Sequence, residues 1–413
     1  MPDLGPVTCA GCGLLCDDVT VERAGDAVGL QPRCGLGADW FSERLRRSAS
    51  PPATINGRPA DVETALTRAA ELLRGARRPL LHGFDGATVE DARAAVALAD
   101  RLGALLATDG VAGAWAGVPA LPLRGVCTAT LGEIRDRSRL VVIWREDPVA
   151  THPRLLDRLG FGEGSPKRPS AASSGGLGAE RTLVVVDDRA TATAQRANLA
   201  LRWTPERDLD ALTYLHARQR GLAVRPSELG PELSGLLERV NGVPHATFVH
   251  GPGLTAGAGG QRRALALYEL VRGLSHGRHV VTLALPAAPG IRGAQDVFAW
   301  QTGYSENIDL GSGHPELVTA MPPLAKSEGV DVSLCIEGVG TNLPNDVSRI
   351  ALVSLPVEGM EVSIRTAAAG VEATGTAHRL DGVPLALQAP LPGDAPTAAA
   401  RLTRLRARLE SAG

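Results

Sequence analysis

Lysine is almost missing from this chain, standing only at Lys167 and Lys326, so nearly every cationic side chain is arginine. We read that first as coding bias. Aromatic residues make up 3% of the sequence, which leaves the core to alanine, valine, leucine and isoleucine. Charge of one sign is not in excess either: the formal net charge is -2. A nucleic-acid binder would carry a basic face with interleaved aromatics, and none is present. No apolar run is long enough to cross a bilayer, so no membrane contact is expected. No apolar signal segment precedes Cys9, which argues against an oxidising compartment and against disulfides. The expected location is the cytoplasm. What remains is ordinary for a globular protein: 413 residues, 44% hydrophobic and 21% charged, enough for two or three domains.

Four of the six cysteines crowd the first 34 residues, at Cys9, Cys12, Cys16 and Cys34. Their spacing is C-x2-C-x3-C-x17-C. Four thiolates at one point hold either a [4Fe–4S] cube or a tetrahedral zinc. Zinc sites usually pair two short knuckles, whereas here three ligands are local and one is remote, which suits the cube. Gly11, Gly13 and Gly35 flank the thiols and are expected to let backbone N–H groups approach the sulfurs. Zinc and an empty, vestigial site remain the alternatives.

After residue 50 a repeated grammar begins. Residues 61–73 and 88–102 have helical apolar spacing. Short apolar runs at Pro79-Leu-Leu-His-Gly, Leu140-Val-Val-Ile-Trp, Thr182-Leu-Val-Val-Val, Ala246-Thr-Phe-Val-His, His279-Val-Val-Thr-Leu and Val330-Asp-Val-Ser-Leu-Cys-Ile read as buried strands. Helices are expected at 191–199 and 261–274. Alternating strands and helices predict an α/β fold with parallel sheets, whose ligands lie beyond the carboxyl ends of the strands. The loops to watch are 82–85, 145–147, 187–189 and 250–253. The Gly- and Ser-rich stretch 160–178 cannot bury enough apolar surface to order itself, and reads as a flexible insertion.

The cysteine segment followed by Asp17-Asp18 resembles the B subunit of formylmethanofuran dehydrogenases, within the wider molybdopterin oxidoreductase family. Further resemblance lies in Thr130-Leu-Gly-Glu, Ile143-Trp-Arg-Glu-Asp-Pro, His152-Pro-Arg, Trp300-Gln-Thr-Gly-Tyr and the run from Gly359 to Pro384, and covers most of the chain. The resemblance implies a small N-terminal Fe–S lobe, residues 1–50 joined by 350–413. It also implies two doubly wound α/β lobes, 51–115 with 244–349, and 116–243. Cys9, Cys12, Cys16 and Cys34 would ligate one [4Fe–4S] cluster.

In that family a cysteine ligates tungsten or molybdenum shortly before the Thr-Leu-Gly-Glu motif. Here the matching stretch, 108–119, has no cysteine, serine or histidine, and Cys127 is out of register. A second active-site motif is replaced by Pro286-Ala-Ala-Pro-Gly-Ile. Asp147 stands where the family has asparagine, and its charge is expected to repel a pterin nucleotide. A soft thiolate is not supplied by glycine or alanine. The pattern therefore looks like the B subunit of the bacterial formyltransferase/hydrolase complex, with hydrolase-like A, C and transferase D subunits as partners. The implied role is structural and non-redox, in tetrahydromethanopterin-linked one-carbon metabolism, with tungsto- or molybdopterin absent and no catalytic residues of its own. The competing readings are an active tungsten or molybdenum subunit using Cys127, and a stand-alone zinc protein.

Other residues tempt less. His82, His152, His250 and His314 lack partners at metal-like spacing and read as structural. Asp187-Asp188-Arg189 reads as a helix cap, Glu372, His378 and Asp381 as turn and contact residues, and Cys335 as a buried strand thiol. Residues 398–409 form an Arg-rich amphipathic helix that either docks on a partner or stays solvated.

Overall fold

The computed structural model describes residues 4–24, 27–47, 51–108, 125–162, 181–225, 228–318, 329–338 and 343–411. The chain divides into two compact units: Met1–Ala112 with Ala287–Gly413, and Gly113–Pro286.

The first unit opens with β1 (Leu4–Val7), β2 (Val19–Ala24) and β3 (Ala27–Gln31), a small antiparallel sheet, and α1 (Gly35–Arg47). There follow β4 (Ala53–Ile55), β5 (Arg58–Pro59), α2 (Val62–Gly75), β6 (Pro79–Gly83), α3 (Val89–Leu102) and β7 (Leu105–Leu106). Local sequence explains the helix starts. Asp61 accepts the Thr64 N–H at 2.9 Å, and Thr88 and Asp91 exchange bonds as a capping box at the head of α3. Gly103, at φ 61°, ends α3 in the left-handed conformation that a glycine adopts without cost.

The second unit contains α4 (Leu131–Arg137), β8 (Leu140–Trp144), α5 (Pro148–Thr151), α6 (Leu155–Arg158), β9 (Thr182–Val186), α7 (Ala192–Arg196) and β10 (Leu199–Leu201). It continues with α8 (Asp208–Gln219), α9 (Gly230–Asn241), β11 (His245–His250), α10 (Pro252–Thr255), α11 (Gly260–Leu274) and β12 (His279–Ala284). Its five strands run parallel in the order β10-β9-β8-β11-β12. β8 and β11 are buried along their whole length, as continuous apolar runs covered on both faces should be.

The chain then re-enters the first unit with α12 (Ile291–Thr302), β13 (Ile308–Asp309), β14 (Glu316–Leu317), β15 (Val332–Ile336), β16 (Ser348–Val353) and β17 (Val362–Arg365). It closes with β18 (Gly375–His378), β19 (Pro384–Leu387) and α13 (Ala398–Glu410). Nine strands form one sheet, β14-β13-β7-β6-β15-β16-β17-β4-β5, parallel from β7 to β17 and antiparallel at both edges. Leu81, Leu334, Ile336, Ile350 and Ile364 face the helices on one side. Among the described residues no helix is long and apolar enough to cross a membrane.

Several expectations are corrected. The return to the first unit falls at Ala287, not at residue 244, because the 245–250 run pairs with β8 and the 279–284 run pairs with it in turn. The cysteine segment is not a separate lobe, and 350–413 does not join it as a block. β16 and β17 extend the large sheet, and α13 packs on α2 and α3. From this segment the β18–β19 hairpin, with Ala369 and Gly370 before it, meets the cysteine loop, and the Leu380 N–H donates to the Gly13 carbonyl at 2.8 Å. The Arg-rich tail buries its apolar face within the first unit: Leu402, Leu405 and Leu409 are buried, and on the exposed face Arg404 and Arg408 pair with Glu63. The helix expected at 191–199 ends at Arg196, where β10 takes over. Most of the 160–178 stretch lies outside the described residues. Phe161 lies beneath the Arg181 guanidinium, 4.4 Å from its ring centre, so the stretch does not begin as free chain.

Candidate functional site

Three places in the fold gather chemistry-bearing residues. The first is the cysteine loop. The Cys9 N–H donates to the Cys16 carbonyl at 2.8 Å, which closes the loop, and the Leu15 N–H donates to the Cys12 carbonyl at 3.2 Å. Cys34 starts α1 through its carbonyl, which accepts the Ala38 N–H at 3.0 Å. The Gly11 N–H donates to Cys9 Sγ at 3.4 Å. A side chain at Gly37 would place its Cβ 3.1 Å from Cys9 Sγ and 3.7 Å from Cys34 Sγ. The two sulfurs therefore flank one Cβ-free spot. Gly35, by contrast, has nothing within 4 Å of its missing Cβ. Gly37 escaped notice because it sits three residues beyond the last cysteine, one turn into a helix.

Burial pushes the Cys12 thiol up to about 12, and the charges of Cys16, Cys9 and Cys34 push the same way. The four thiols thus lie within one another's field. Among the described residues, no three or more His, Cys, Asp or Glu form a group that could hold a metal ion. What the loop offers a bound group is four thiol side chains, a backbone N–H on the Cys9 sulfur and a Cβ-free wall at Gly37. Arg379 stands beside this loop, gripped by Asp381 through two bonds of 2.8 Å, and the charges of Asp17 and Cys16 reach it.

The second place is the switch point of the nine-stranded sheet. From β6 the chain turns one way to β7, while β15 lies on the other side, so a crevice opens beyond their carboxyl ends. Its volume is ≈ 350 Å³, and Asp85, Glu337, Ser354, Trp40 and Arg44 line it. The Arg44 guanidinium lies over the Trp40 ring at 4.4 Å. Glu337 is held by the Thr366 hydroxyl and by Ser354, whose N–H and hydroxyl donate at 3.1 and 2.7 Å. Burial nevertheless pushes its carboxyl up to about 7. Sequence reasoning missed Glu337. Its only signal was an acid directly after an apolar strand.

The third place is the switch point of the five-stranded sheet, between β8 and β11. Here Glu146, just past β8, reaches across to the loop after β11, where the Gly253 N–H donates to it at 2.7 Å. Asp147, expected to face a ligand, is bonded within the protein: its Oδ1 accepts the Thr193 N–H at 3.0 Å, while its charge still reaches Glu146. The cap of α7 is Thr191, not the Asp187 triplet, and Asp187 instead accepts the Arg189 N–H at 2.9 Å.

The remaining candidates fall where structural roles put them. Burial holds His82, His152 and His250 neutral, each down to about 4, while His314 is exposed beside Glu316. His378 bonds Asp296 at 2.7 Å, and Glu372 accepts the Ala368 N–H at 3.0 Å. Cys335 is buried in β15. The carbonyl of Cys127 accepts from Thr282 on the edge of β12, at 2.7 Å from the N–H and 3.0 Å from the hydroxyl. The cysteine-free stretch noted above lies, from residue 109, outside the described residues.

No family model matches the chain. Alignment with known proteins is nonetheless extensive. The B subunit of the tungsten-containing formylmethanofuran dehydrogenase 2 of Methanocaldococcus jannaschii is 28% identical over 411 residues, spanning 92% of each chain. The B subunit of the formyltransferase/hydrolase complex Fhc from Methylorubrum extorquens is 27% identical over 266 residues, 64% of this chain and 67% of that one. A chain of the crystal structure of the complex FhcABCD from the same organism, bound to methylofuran, superposes with a TM-score of 0.71 at 25% identity, covering 87% of this chain and 99% of the other. These matches set the chain in a class of α/β proteins related to the formylmethanofuran dehydrogenase B subunit. Within that class it stands close to the B subunit of the bacterial formyltransferase/hydrolase complex.

Proposed function

We propose that the protein is a non-redox, structural B-type subunit of a formyltransferase/hydrolase complex in tetrahydromethanopterin-linked one-carbon metabolism. Its partners would be hydrolase-like A, C and transferase D subunits in the cytoplasm. The observation that carries this reading is the superposition on 99% of a chain taken from such a complex. The non-redox part draws support from the second unit's switch point. Glu146 already holds the backbone N–H that a bound anion would use, and two more acids, Asp147 and Asp187, stand beside it. The sequence offers no cysteine between Cys34 and Cys127 to ligate a group VI metal.

The [4Fe–4S] cluster belongs to the same proposal. Cys9, Cys12, Cys16 and Cys34 would hold it, and its iron would offset the mutual repulsion of four partly buried thiolates. The cluster supplies one-electron chemistry when bound. The residues around it hold the loop. Gly11 donates to Cys9, and the β18–β19 hairpin braces the backbone at Gly13.

Co-expression of this chain with A, C and D subunits, followed by purification and metal analysis, tests the reading. The expected product is a stable complex with iron and without tungsten or molybdenum. Stoichiometric tungsten, with viologen-linked oxidation of formylmethanofuran, would replace it with the redox reading. A chain that stays apart from the other three would end it.

A further inference from the structure

We infer that Glu146 is a proton-operated latch that closes the switch point of the second unit. The geometry is that of two loops shut on one another. A Cβ at Gly253 would fall 1.8 Å from the Arg145 carbonyl oxygen, and one at Gly251 would fall 2.7 Å from Glu146 Oε1. Only glycine permits either approach. The Glu146 carboxyl is buried, and it bridges the loops through Gly253.

Among the described residues Arg189 is the cation whose charge reaches it. Arg145, in the left-handed conformation at φ 58°, sends its guanidinium away to Asp208 and Asp188. The charged groups facing Glu146 are Asp187 and Arg189 from the loop after β9, and Asp147 from its own loop. Arg189 is largely spent on Asp187 and is mostly solvent-exposed. His250, at the end of β11, is neutral. An ionised Glu146 thus meets two acids and little water.

Burial, opposed by the Gly253 bond and reinforced by Asp187, pushes the Glu146 carboxyl up to about 7. With the loops open it returns to the ordinary value of about 4.5. The closed form therefore binds the proton more tightly. Its advantage is complete below about 4.5, declines as pH rises from there, and is gone above about 7. One proton is involved, so the ratio of open to closed loops rises by up to about tenfold per pH unit in that window and then levels. The inference stands on the local geometry and does not depend on assembly with other subunits.

Hydrogen–deuterium exchange of the peptide spanning 249–256, in the full chain from pH 5 to 8.5 and corrected for intrinsic exchange, tests it. Wild-type protection is expected to fall by up to about tenfold per pH unit to pH 7 and then flatten. Glu146→Gln, which keeps an acceptor for Gly253 but cannot ionise, is expected to give a flat profile. Asp187→Asn, a second variant, removes a like charge and should move the levelling point to lower pH. A flat wild-type profile, or a Glu146→Gln profile with the wild-type slope, would overturn the inference.

Discussion

Asp208 receives the guanidinium of Arg145 in the interior of the second unit, with Nε on Oδ2 at 2.9 Å and Nη2 on Oδ1 at 3.0 Å. The acid's side chain is 0% exposed and the arginine's 3%. Two indoles complete the arrangement: Trp144 Nε1 donates to Oδ1 at 3.0 Å and Trp203 Nε1 at 2.9 Å. Four donors on one carboxylate are what a charge needs to survive burial. They also explain the left-handed Arg145, which gives up backbone comfort to aim its side chain inward.

Removing that acid should be severe. Asp208→Ala leaves two buried indole N–H groups without their acceptor and the buried guanidinium with only Asp188 and the Trp203 carbonyl, and the expected cost is about 3–5 kcal/mol. Urea unfolding followed by tryptophan emission reads it directly, because Trp144 and Trp203 sit at the site. A loss below about 1 kcal/mol would mean that Arg145 finds another partner or water.

Much of this architecture was legible in the sequence. All six apolar runs became strands, because strands buried on both faces must be continuously apolar. The role of Asp208, the first residue of α8, was not, since nothing local announces that an aspartate 63 positions away will meet Arg145. The swap between Asp147 and Glu146 illustrates the same limit. Both follow β8, and only the tertiary position of Thr193 and Gly253 decides which one faces the switch point. Domain boundaries failed for a related reason: 245–250 is a good strand for either sheet, and pairing rather than propensity assigns it. The cysteines were readable because four thiols in 34 residues admit few bland explanations, whereas Gly37 earns its place only through the fold.

The C-terminal helix offers a second measurement. Leu405 is fully buried against the first unit, while the Glu63 that binds Arg404 and Arg408 is about half exposed. Leu405→Ala should cost about 2–5 kcal/mol, the usual range for a core leucine. Glu63→Ala should cost far less than the leucine change, because exposed ion pairs are screened. Comparable losses by denaturant titration would mean that the arginines, not the leucines, dock this helix.

Glu337 makes the first unit sensitive to pH. Its folded value of about 7 stands above the ordinary 4.5, so the native state holds its proton more tightly than the unfolded chain. The stability it contributes is complete below about 4.5 and is lost as pH rises through about 7. Glu337→Gln keeps one acceptor oxygen for the Ser354 N–H and hydroxyl, turns its amide N–H2 to the Thr366 hydroxyl oxygen, and loses the titration. Thermal melts from pH 4.5 to 8 should therefore show the wild type falling relative to this variant across the window. Parallel curves would place the titration elsewhere.

The cysteine loop can be tested with two alanines on the same helix. At Gly37 a Cβ would lie 2.7 Å from Leu30 Cδ1 and 3.1 Å from Cys9 Sγ, so a methyl there must displace the sulfur or the leucine. At Gly35 it would meet nothing within 4 Å, and alanine should if anything favour the helix. After anaerobic reconstitution with iron and sulfide, wild type and Gly35→Ala are expected to carry about four irons per chain. Gly37→Ala should carry markedly less, with a bleached charge-transfer band. Cys12→Ser should fall as well, since that thiol lies within the field of the other three. Full loading of Gly37→Ala would show that the Cβ-free wall beside Cys9 and Cys34 is not where the cluster sits. Loading of Cys12→Ser at the wild-type level would remove Cys12 from the ligand set.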